Sequence, residues 1–217
     1  MCNQKIFLYD SKIYAFYIQF FDPIIDQKRL TQMQQDKHAN QLMVRVEIPR
    51  GSNIKYEIVN GKLICDRVLH TPMNYIFNYG CFEETLAGDG DPLDVALLSE
   101  ASFFPGCYVK CKIIGVLMTK DEKGDDEKII AVPIDSVDPQ YSGINDISDL
   151  PISTLEQIKF FFENYKSLEK GKKVTVGDFY DHNRAMEILS DCKKIYQASL
   201  PPIFSNQIKS FNDNDNH

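Results

Sequence analysis

The chain has few of the side chains on which much enzyme chemistry depends. Only four of its 217 residues are histidines, and none of the four lies in a metal-ligand or nucleophile motif. Its six cysteines are scattered, and the only close pair, Cys107 and Cys111, lacks metal-ligand spacing. The sequence therefore argues against a histidine-based triad or a zinc centre, and it predicts reduced core thiols of an intracellular protein.

Features that bind nucleotides, nucleic acids or membranes are also missing. No Gly-x-x-x-x-Gly-Lys loop is present, and Gly88-Asp89-Gly90 has Leu93 where a dinucleotide fingerprint needs its third glycine. The formal net charge is −7, whereas nucleic acids and anionic membranes bind cationic surfaces. We expect neither of them as a partner, so any anionic ligand must meet a local basic site.

Length and polarity predict one domain with an appended segment at each end. A chain of 217 residues with 43% apolar content can bury one large core. Residues 6–25 are apolar and aromatic, but charged residues and Pro23 interrupt them before the roughly 20 residues of a membrane span. We interpret residues 1–40 as an extension that docks on the domain or on a partner subunit, with targeting less favoured. Residues 41–200 are the predicted catalytic domain, and residues 201–217 are a polar tail. The lack of a clean signal-peptide core favours a cytoplasmic location.

A β-hairpin is the strongest local structure that the sequence predicts. Two strand patterns flank Asn60-Gly61, the dipeptide that two-residue hairpin turns prefer. Such a turn pairs Val59 with Lys62, and regular pairing then brings Asp66 opposite Lys55.

Strand patterns precede helix patterns along the rest of the domain. Apolar and polar residues alternate from Leu42 to Ile48, and later apolar runs at 95–98, 108–119 and 128–133 also predict strands. A 3.6-residue period then predicts one helix behind the capping box Ser153-x-x-Glu156 and a second from about Asn183 to Ser199. This order predicts an α+β domain that is mainly β.

Two acidic clusters stand out between the predicted strands. Asp89-Gly90-Asp91-Pro92-Leu93-Asp94 places three carboxylates in six residues, and a second cluster lies at residues 120–127. Such a density of like charge is costly unless a cation neutralises it, and carboxylate oxygens favour Mg²⁺ or Mn²⁺ over Zn²⁺. Taken alone, each cluster is better interpreted as a solvated turn.

Basic and phenolic residues interspersed with these acids give the mixture a chemical use. Divalent ions held by shared carboxylates can activate water for attack on a phosphate, while Lys and Arg bind the remaining phosphate charge and Tyr hydroxyls add neutral donors. A carboxylate that is not fully occupied by metal can accept the proton of the attacking water. The residues thus indicate metal-assisted hydrolysis of a small, highly charged phosphate, without indicating which one.

The motifs resemble those of the soluble family I inorganic pyrophosphatases. Asp89-Gly90-Asp91-Pro92-Leu93-Asp94-Val95 is similar to the acidic motif that defines this family. Further similar blocks follow the family's order between about Leu42 and Ser199: Glu47 to Ser52, Ile54 to Ile58, Asp66-Arg67, Asn78-Tyr79-Gly80, Lys128 to Pro133 and Phe161 to Lys166. Arg50-Gly51-Ser52 resembles the plant and protist members. The chain is therefore identified as a member of this family, an inorganic diphosphatase.

The resemblance implies a role for each site residue. Asp89, Asp94 and Asp126 would hold a first metal, with Asp94 bridging to a second. Asp91 would be the general base, Asp121 would share with Asp126 a metal that arrives with the substrate, and Glu57 would help to hold another ion. The implied phosphate-binding set is Lys55, Arg67, Tyr79, Lys128, Tyr165 and Lys166, of which Lys55, Arg67 and Tyr79 join Asp91 as catalytic. Glu47, Asp66 and Tyr75 would support the cavity.

The resemblance also implies a fold, cofactors and partners. The expected fold is a closed five-stranded β-barrel of the OB type with two flanking α-helices near the C-terminus. Several Mg²⁺ ions per site are expected, with Mn²⁺ as a substitute and Ca²⁺ as an inhibitor. Pyrophosphate and phosphate are the expected ligands, and a homo-oligomer, either a dimer or a hexamer, is the expected assembly.

Readings from other functional classes stay open at this point. One is an enzyme that acts on a larger phosphate, such as polyphosphate or a nucleotide, although the sequence has no evident base pocket. Another is a non-catalytic OB-type binding module or a Ca²⁺-binding protein. The presence of Asp91 argues against that reading, because a pure binder needs no general base.

Overall fold

The computed structural model describes residues 42–200 of the chain, so the predictions for residues 1–40 and 201–217 lie outside the described residues. The strands are β1 (Met43–Ile48), β2 (Ile54–Val59), β3 (Lys62–Val68), β4 (Asn78–Phe82), β5 (Leu93–Leu97), β6 (Tyr108–Asp121), β7 (Gly124–Asp125), β8 (Lys128–Pro133) and β9 (Thr175–Tyr180). The α-helices are α1 (Ile152–Asn164) and α2 (His182–Ser199), and two short 3₁₀-helices precede α1 at Pro139–Tyr141 and Ile147–Asp149. Neither α-helix in this part of the chain is long and apolar enough to cross a membrane.

Five of the strands close into a ring. They pair in the order β1-β4-β5-β8-β6, and β6 pairs back onto β1 with Met43 opposite Lys110. Neighbours in the ring are antiparallel except β5 and β8, which run parallel with Val95 opposite Ile129. The closed five-stranded barrel and the two helices after it are thus confirmed, and closure leaves the ring without a free strand edge.

The ring strands are buried on both faces, and each face has its own apolar cluster. Val95 and Ile129 pack in the cluster that contains α2, whereas the next residues, Ala96 and Ile130, pack in the cluster that contains α1. Successive residues of a strand point to opposite faces, so each face packs in a cluster with a different helix. All six residues of β8 are buried for this reason.

The β2–β3 hairpin forms with the predicted turn but with a different register. Val59 pairs with Lys62 as expected, and Asn60 and Gly61 have positive φ values of 52° and 72°. A register shift then pairs Tyr56 with Cys65 and Lys55 with Arg67, so the prediction that Asp66 faces Lys55 is wrong. The extra residue of a β-bulge is the physical reason, and it brings Lys55 and Arg67 side by side.

The predicted capping box at the start of α1 is also wrong. The helix begins at Ile152 directly after Pro151, which makes no side-chain cap hydrogen bond, so Ser153 lies inside the first turn. The α2 helix begins one residue before the predicted start and is capped by Asp181, whose carboxylate accepts a 2.9 Å hydrogen bond from the Arg184 backbone N–H.

The cysteines follow the prediction of core thiols only in part. No disulfide joins the five cysteines of residues 42–200. Cys81, Cys111 and Cys192 are buried and Cys107 is half-buried, but Cys65 is exposed. The prediction is wrong for Cys65 because all seven residues of β3 lie on the exposed hairpin rather than in the barrel.

Replacing Gly80 with Ala should destabilise the barrel, because strand β1 crosses β4 closely at this residue. A Cβ atom on Gly80 would lie 2.0 Å from the backbone oxygen of Arg45. We expect a loss of about 2 kcal/mol or more in the free energy of unfolding, measured by denaturant titration. Gly143→Ala is the matched control, since a Cβ atom there meets nothing within 4 Å. Equal unfolding midpoints for the two variants would contradict the close approach of β1 and β4.

Candidate active site

A polar cavity of about 370 Å³ lies beside the barrel and gathers residues from most of its elements. The pairing of Arg45 with Cys81 and of Cys81 with Asp94 aligns side chains across β1, β4 and β5 on one face. Lys128 continues this row, because it stands one step before the Val95–Ile129 pair of β5 and β8. Since Ala96 and Ile130 share this face, the row extends the apolar surface that packs against α1.

The cavity brings together nearly all of the sequence-predicted site residues. Fourteen of the fifteen line it, namely Glu47, Lys55, Glu57, Arg67, Tyr75, Tyr79, Asp89, Asp91, Asp94, Asp121, Asp126, Lys128, Tyr165 and Lys166. The exception is Asp66, which stands beside the cavity with its carboxylate 3.6 Å from Nη1 of Arg67. Their individual roles stay predictions.

Besides Ile58 and Pro92, the cavity is lined by four titratable side chains that sequence reasoning missed: Arg45, Cys81, Lys123 and Lys172. Arg45 alternates with the apolar positions of β1 in the same way as Glu47, to which it forms a 3.1 Å ion pair, so the strand pattern could have identified it. Lys123 and Lys172 carried no such signal, because they reach the cavity only through the folding of loops.

Lys128 forms the charged centre of the cavity floor. This side chain is almost fully buried, and its Nζ donates to Oδ2 of Asp94 at 2.6 Å and to Oδ1 of Asp126. Burial acts to lower the pKa of Lys128, but the two carboxylates outweigh it and raise the pKa. Burial likewise acts to raise the pKa of Asp94, yet the Lys128 ammonium brings it below its ordinary value. Burial raises the pKa of Asp126.

Three buried phenols form the wall next to this centre. Burial raises the pKa values of Tyr75, Tyr79 and Tyr165, so their hydroxyls stay protonated. The rings are fixed by aromatic packing: the Tyr75 ring lies 5.2 Å from that of Tyr79 and 4.7 Å from that of Phe161, centroid to centroid. Helix α1 therefore positions hydroxyl groups that carry no charge at neutral pH.

Two acidic segments form the edge of the cavity. In the first, the Asp91 backbone N–H donates to Oδ1 of Asp89 at 3.0 Å, and Gly90 between them has a φ of +88° that favours glycine. In the second, the Lys123 backbone N–H donates to Oδ1 of Asp121 at 2.7 Å. Each segment is thus folded by its own carboxylate, an arrangement typical of Asx turns.

Lysine side chains neutralise several of the acids. Lys55 lies between Glu47 and Glu57, with Nζ–Oε distances of 3.5 and 3.4 Å, and the Lys166 ammonium is 3.7 Å from Oδ2 of Asp121. Burial and, secondarily, the nearby Lys128 lower the pKa of Lys166. The cavity lining as a whole contains seven acidic and seven basic side chains, so its formal charges balance.

The chemistry of the donors fits a hard divalent ion. The lining offers carboxylate and phenol oxygens and no histidine, and burial raises the pKa of the Cys81 thiol, which therefore keeps its proton. Between residues 42 and 200, no three acidic, histidine or cysteine side chains are clustered closely enough to hold a metal as they stand. Ammonium groups lie between the acids instead, with Lys128 between Asp94 and Asp126 as the clearest case.

The cavity combines ammonium, guanidinium and phenol donors with carboxylates, a set that fits a protein binding a small phosphate together with cations. Sequence comparison identifies the family. The sequence model of the family described as inorganic pyrophosphatase matches residues 44–197 of this chain. The chain therefore belongs to the inorganic pyrophosphatase family.

Relatives and solved structures agree with this assignment. The chain is 51% identical over 152 residues to the inorganic pyrophosphatase of Nanoarchaeum equitans, which covers 70% of this chain and 95% of the relative. It is 45% identical over 171 residues to the inorganic pyrophosphatase of Helicobacter pylori strain J99, and this match covers 78% of this chain and 99% of the relative. The solved Helicobacter pylori enzyme superposes with a TM-score of 0.71 at 47% identity over 73% of this chain and 95% of that one. The solved Thermus thermophilus enzyme superposes with a TM-score of 0.70 at 40% identity, and the match covers 75% of this chain and 94% of that one.

Replacing Lys128 with Met should destabilise the fold strongly, because Asp94 and Asp126 would lose the ammonium that they share. Removing one partner of a buried ion pair typically costs about 3–5 kcal/mol in the free energy of unfolding. Denaturant titration measures the loss, and the double variant with Asp126→Asn should recover part of it. Lys120→Met is the control, since Lys120 pairs with Asp125 at 2.7 Å on the surface and should cost less than about 0.5 kcal/mol. Equal small losses for both lysines would contradict the central role of Lys128.

Proposed function

We propose that the chain hydrolyses inorganic pyrophosphate to two orthophosphates with the help of several divalent ions, Mg²⁺ in the first place. The charge balance of the cavity is the observation that carries the proposal within this family. Seven basic side chains are matched by seven acidic ones, so a multiply charged phosphate needs additional positive charge in order to bind. Divalent ions on the carboxylates would supply that charge. Mn²⁺ is the expected substitute.

The carboxylates divide into a metal-holding group and a proton acceptor. Asp89, Asp94 and Asp126 would hold one ion, with Asp94 shared by a second. Asp121 and Glu57 would complete the remaining sites. When bound there, divalent ions make a water more acidic and neutralise the phosphate oxygens. The raised pKa of Lys128 and the lowered pKa of Asp94 support an ion-accepting, negatively charged Asp94.

Asp91 is the proposed general base. It is the carboxylate of the acidic turn that points to the rim, where 64% of its side chain is exposed, and no buried lysine holds it. In the reaction, an oxygen of the Asp91 carboxylate accepts a proton from the attacking water. The new P–O bond forms as the bond from phosphorus to the bridging oxygen breaks, and the second phosphate leaves with the electron pair of that bond.

The basic and phenolic groups would bind the two phosphate groups. Lys55 and Arg67 are adjacent because of the bulge in the β2–β3 hairpin, and they can contact one phosphate group together. Tyr79 and Tyr165 would donate hydroxyl hydrogens without adding charge, and Lys128 and Lys166 would contribute from the floor and from the end of α1. Glu47, Asp66 and Tyr75 would orient these groups, as the contacts of Glu47 with Arg45 and Lys55 suggest.

The domain limits, the assembly and the location are further parts of the proposal. Residues 41–200 are proposed as the catalytic domain, which the family match over residues 44–197 supports. We propose a homo-oligomer, a dimer or a hexamer, with pyrophosphate and phosphate as ligands and neither nucleic acid nor membrane as partner. A cytoplasmic location is proposed from the sequence, together with the free state of the five cysteines in residues 42–200.

Phosphate release from pyrophosphate should require Mg²⁺, because the balanced cavity cannot neutralise the substrate alone. We expect release in the presence of Mg²⁺, none with chelator, and recovery when Mg²⁺ is added back in excess. Ca²⁺, which accepts looser coordination, should inhibit. ATP and polyphosphate serve as comparison substrates under the same conditions. Faster release from either of them, or activation by Ca²⁺ over Mg²⁺, would contradict this function and favour one of the alternative readings.

Replacing Asp91 with Asn should reduce the turnover number about 10²- to 10⁴-fold, which is the contribution typical of a general base. The unfolding midpoint should stay within the error of the wild type, since the side chain is mostly exposed. Asp135→Asn is the matched control, because Asp135 is equally exposed at 64% and pairs with Lys112 outside the cavity. Steady-state kinetics of both variants test the role. Near-normal turnover of the Asp91 variant would exclude Asp91 as the base.

A further inference from the structure

Lys123 makes a contact that bridges the two acidic segments at the edge of the cavity. It lies in the turn between β6 and β7, outside the barrel strands, and its backbone is fixed by the hydrogen bond to Asp121. Its Nζ donates to Oδ2 of Asp91 at 3.0 Å. The ion pair therefore joins the segment that contains Asp91 to the segment that contains Asp121.

We propose that Lys123 is a positioning residue that pairs with Asp91 and so competes with the divalent cations on the neighbouring carboxylates for the negative charge of Asp91. In this view Mg²⁺ enters the cavity more readily once the Lys123–Asp91 pair opens, and the lysine acts as a replaceable counter-ion. The inference rests on the proposed function, because it takes Asp91 as the base and places the divalent ions on the neighbouring carboxylates.

The exposure of the pair distinguishes it from the buried ion pairs of the cavity floor. The side chains of Lys123 and Asp91 are 51% and 64% exposed, whereas that of Lys128 is 2% exposed. An exposed pair is weak and opens easily, while a buried ammonium between two acids is held in place. Lys123 is therefore suited to exchange with a metal ion, and Lys128 is suited to a permanent place in the floor.

The same exposure sets the size of the expected effect. Exposed ion pairs of this kind shift an equilibrium by about 1.4- to 5-fold. Loss of the lysine should tighten Mg²⁺ binding by a factor in this range. Because solvent and salt screen exposed charges, the difference should shrink as the ionic strength rises.

The test is a calorimetric titration of Mg²⁺ alone into the full chain, without pyrophosphate. Lys123→Gln should lower the dissociation constant for Mg²⁺ by about 1.4- to 5-fold. The control is Lys120→Gln, which removes the same charge from the same hairpin but breaks the Lys120–Asp125 pair outside the cavity. It should leave the Mg²⁺ affinity unchanged. Lys123→Arg keeps the charge and should bind Mg²⁺ as the wild type does.

A double-mutant cycle with Asp91→Asn tests whether the effect of Lys123 passes through Asp91. In that background Lys123→Gln should no longer change the Mg²⁺ affinity, because the pair has already been broken. A persistent change would show that Lys123 acts elsewhere and would overturn the inference.

Three other results would also overturn it. If Lys123→Gln and Lys120→Gln tightened Mg²⁺ binding equally, the effect would come from the change in net charge alone. If Lys123→Gln weakened Mg²⁺ binding, the lysine would instead organise the acidic turn for the metal. Unchanged affinity in a chain that still hydrolyses pyrophosphate with Mg²⁺ would overturn this inference alone. Absence of Mg²⁺ binding by the wild-type chain would overturn the metal part of the proposed function as well.

Discussion

The Lys128 ammonium buried between Asp94 and Asp126 is the interaction on which the cavity depends. Without the ammonium, the carboxylates of Asp94 and Asp126 would lie close together in the floor of the cavity, where they are largely shielded from water. Asp94 belongs to β5, Lys128 to β8 and Asp126 to the connection before β8. The Lys128–Asp94 ion pair therefore also joins two neighbouring ring strands at their polar end. The same three groups fix both the electrostatics of the cavity and its geometry.

The barrel explains why a polar cavity can exist beside an apolar core. Each face of the ring belongs to an apolar cluster that includes one helix, and the face that packs with α1 changes along its length from the apolar residues Ala96 and Ile130 to the charged residues Asp94 and Lys128. Buried charges are tolerated there because each has a partner. The floor of the site is held by the barrel and by phenols that pack against α1, whereas Lys123 and Asp91 at its edge are exposed.

Local patterns in the sequence predicted much of the fold, and the remainder depends on pairings between distant residues. The Asn60-Gly61 turn and the end of α2 could be predicted because a few adjacent residues determine them. The bulge at Asp66 could not, because it depends on how two strands pair and no glycine marks it in the sequence. Strand β9 was missed because Gly177 and Asp178 interrupt its β-forming residues, and it forms by pairing with β6. For the site, the acidic clusters were visible as local runs, whereas the place of Lys123 and Lys172 at the cavity follows only from loop folding.

The side chains that line the cavity balance one another in formal charge, and we propose that the cavity therefore accepts a diphosphate only together with divalent ions. Calorimetric titration of methylene diphosphonate, a pyrophosphate analogue that is not hydrolysed at the bridge, tests this claim most directly when done with and without Mg²⁺. We expect tight binding with Mg²⁺ and little binding without it, and by linkage the analogue should tighten Mg²⁺ binding by the same factor. Equal affinity for the analogue in both conditions would mean that the cavity does not need divalent ions to accept a diphosphate.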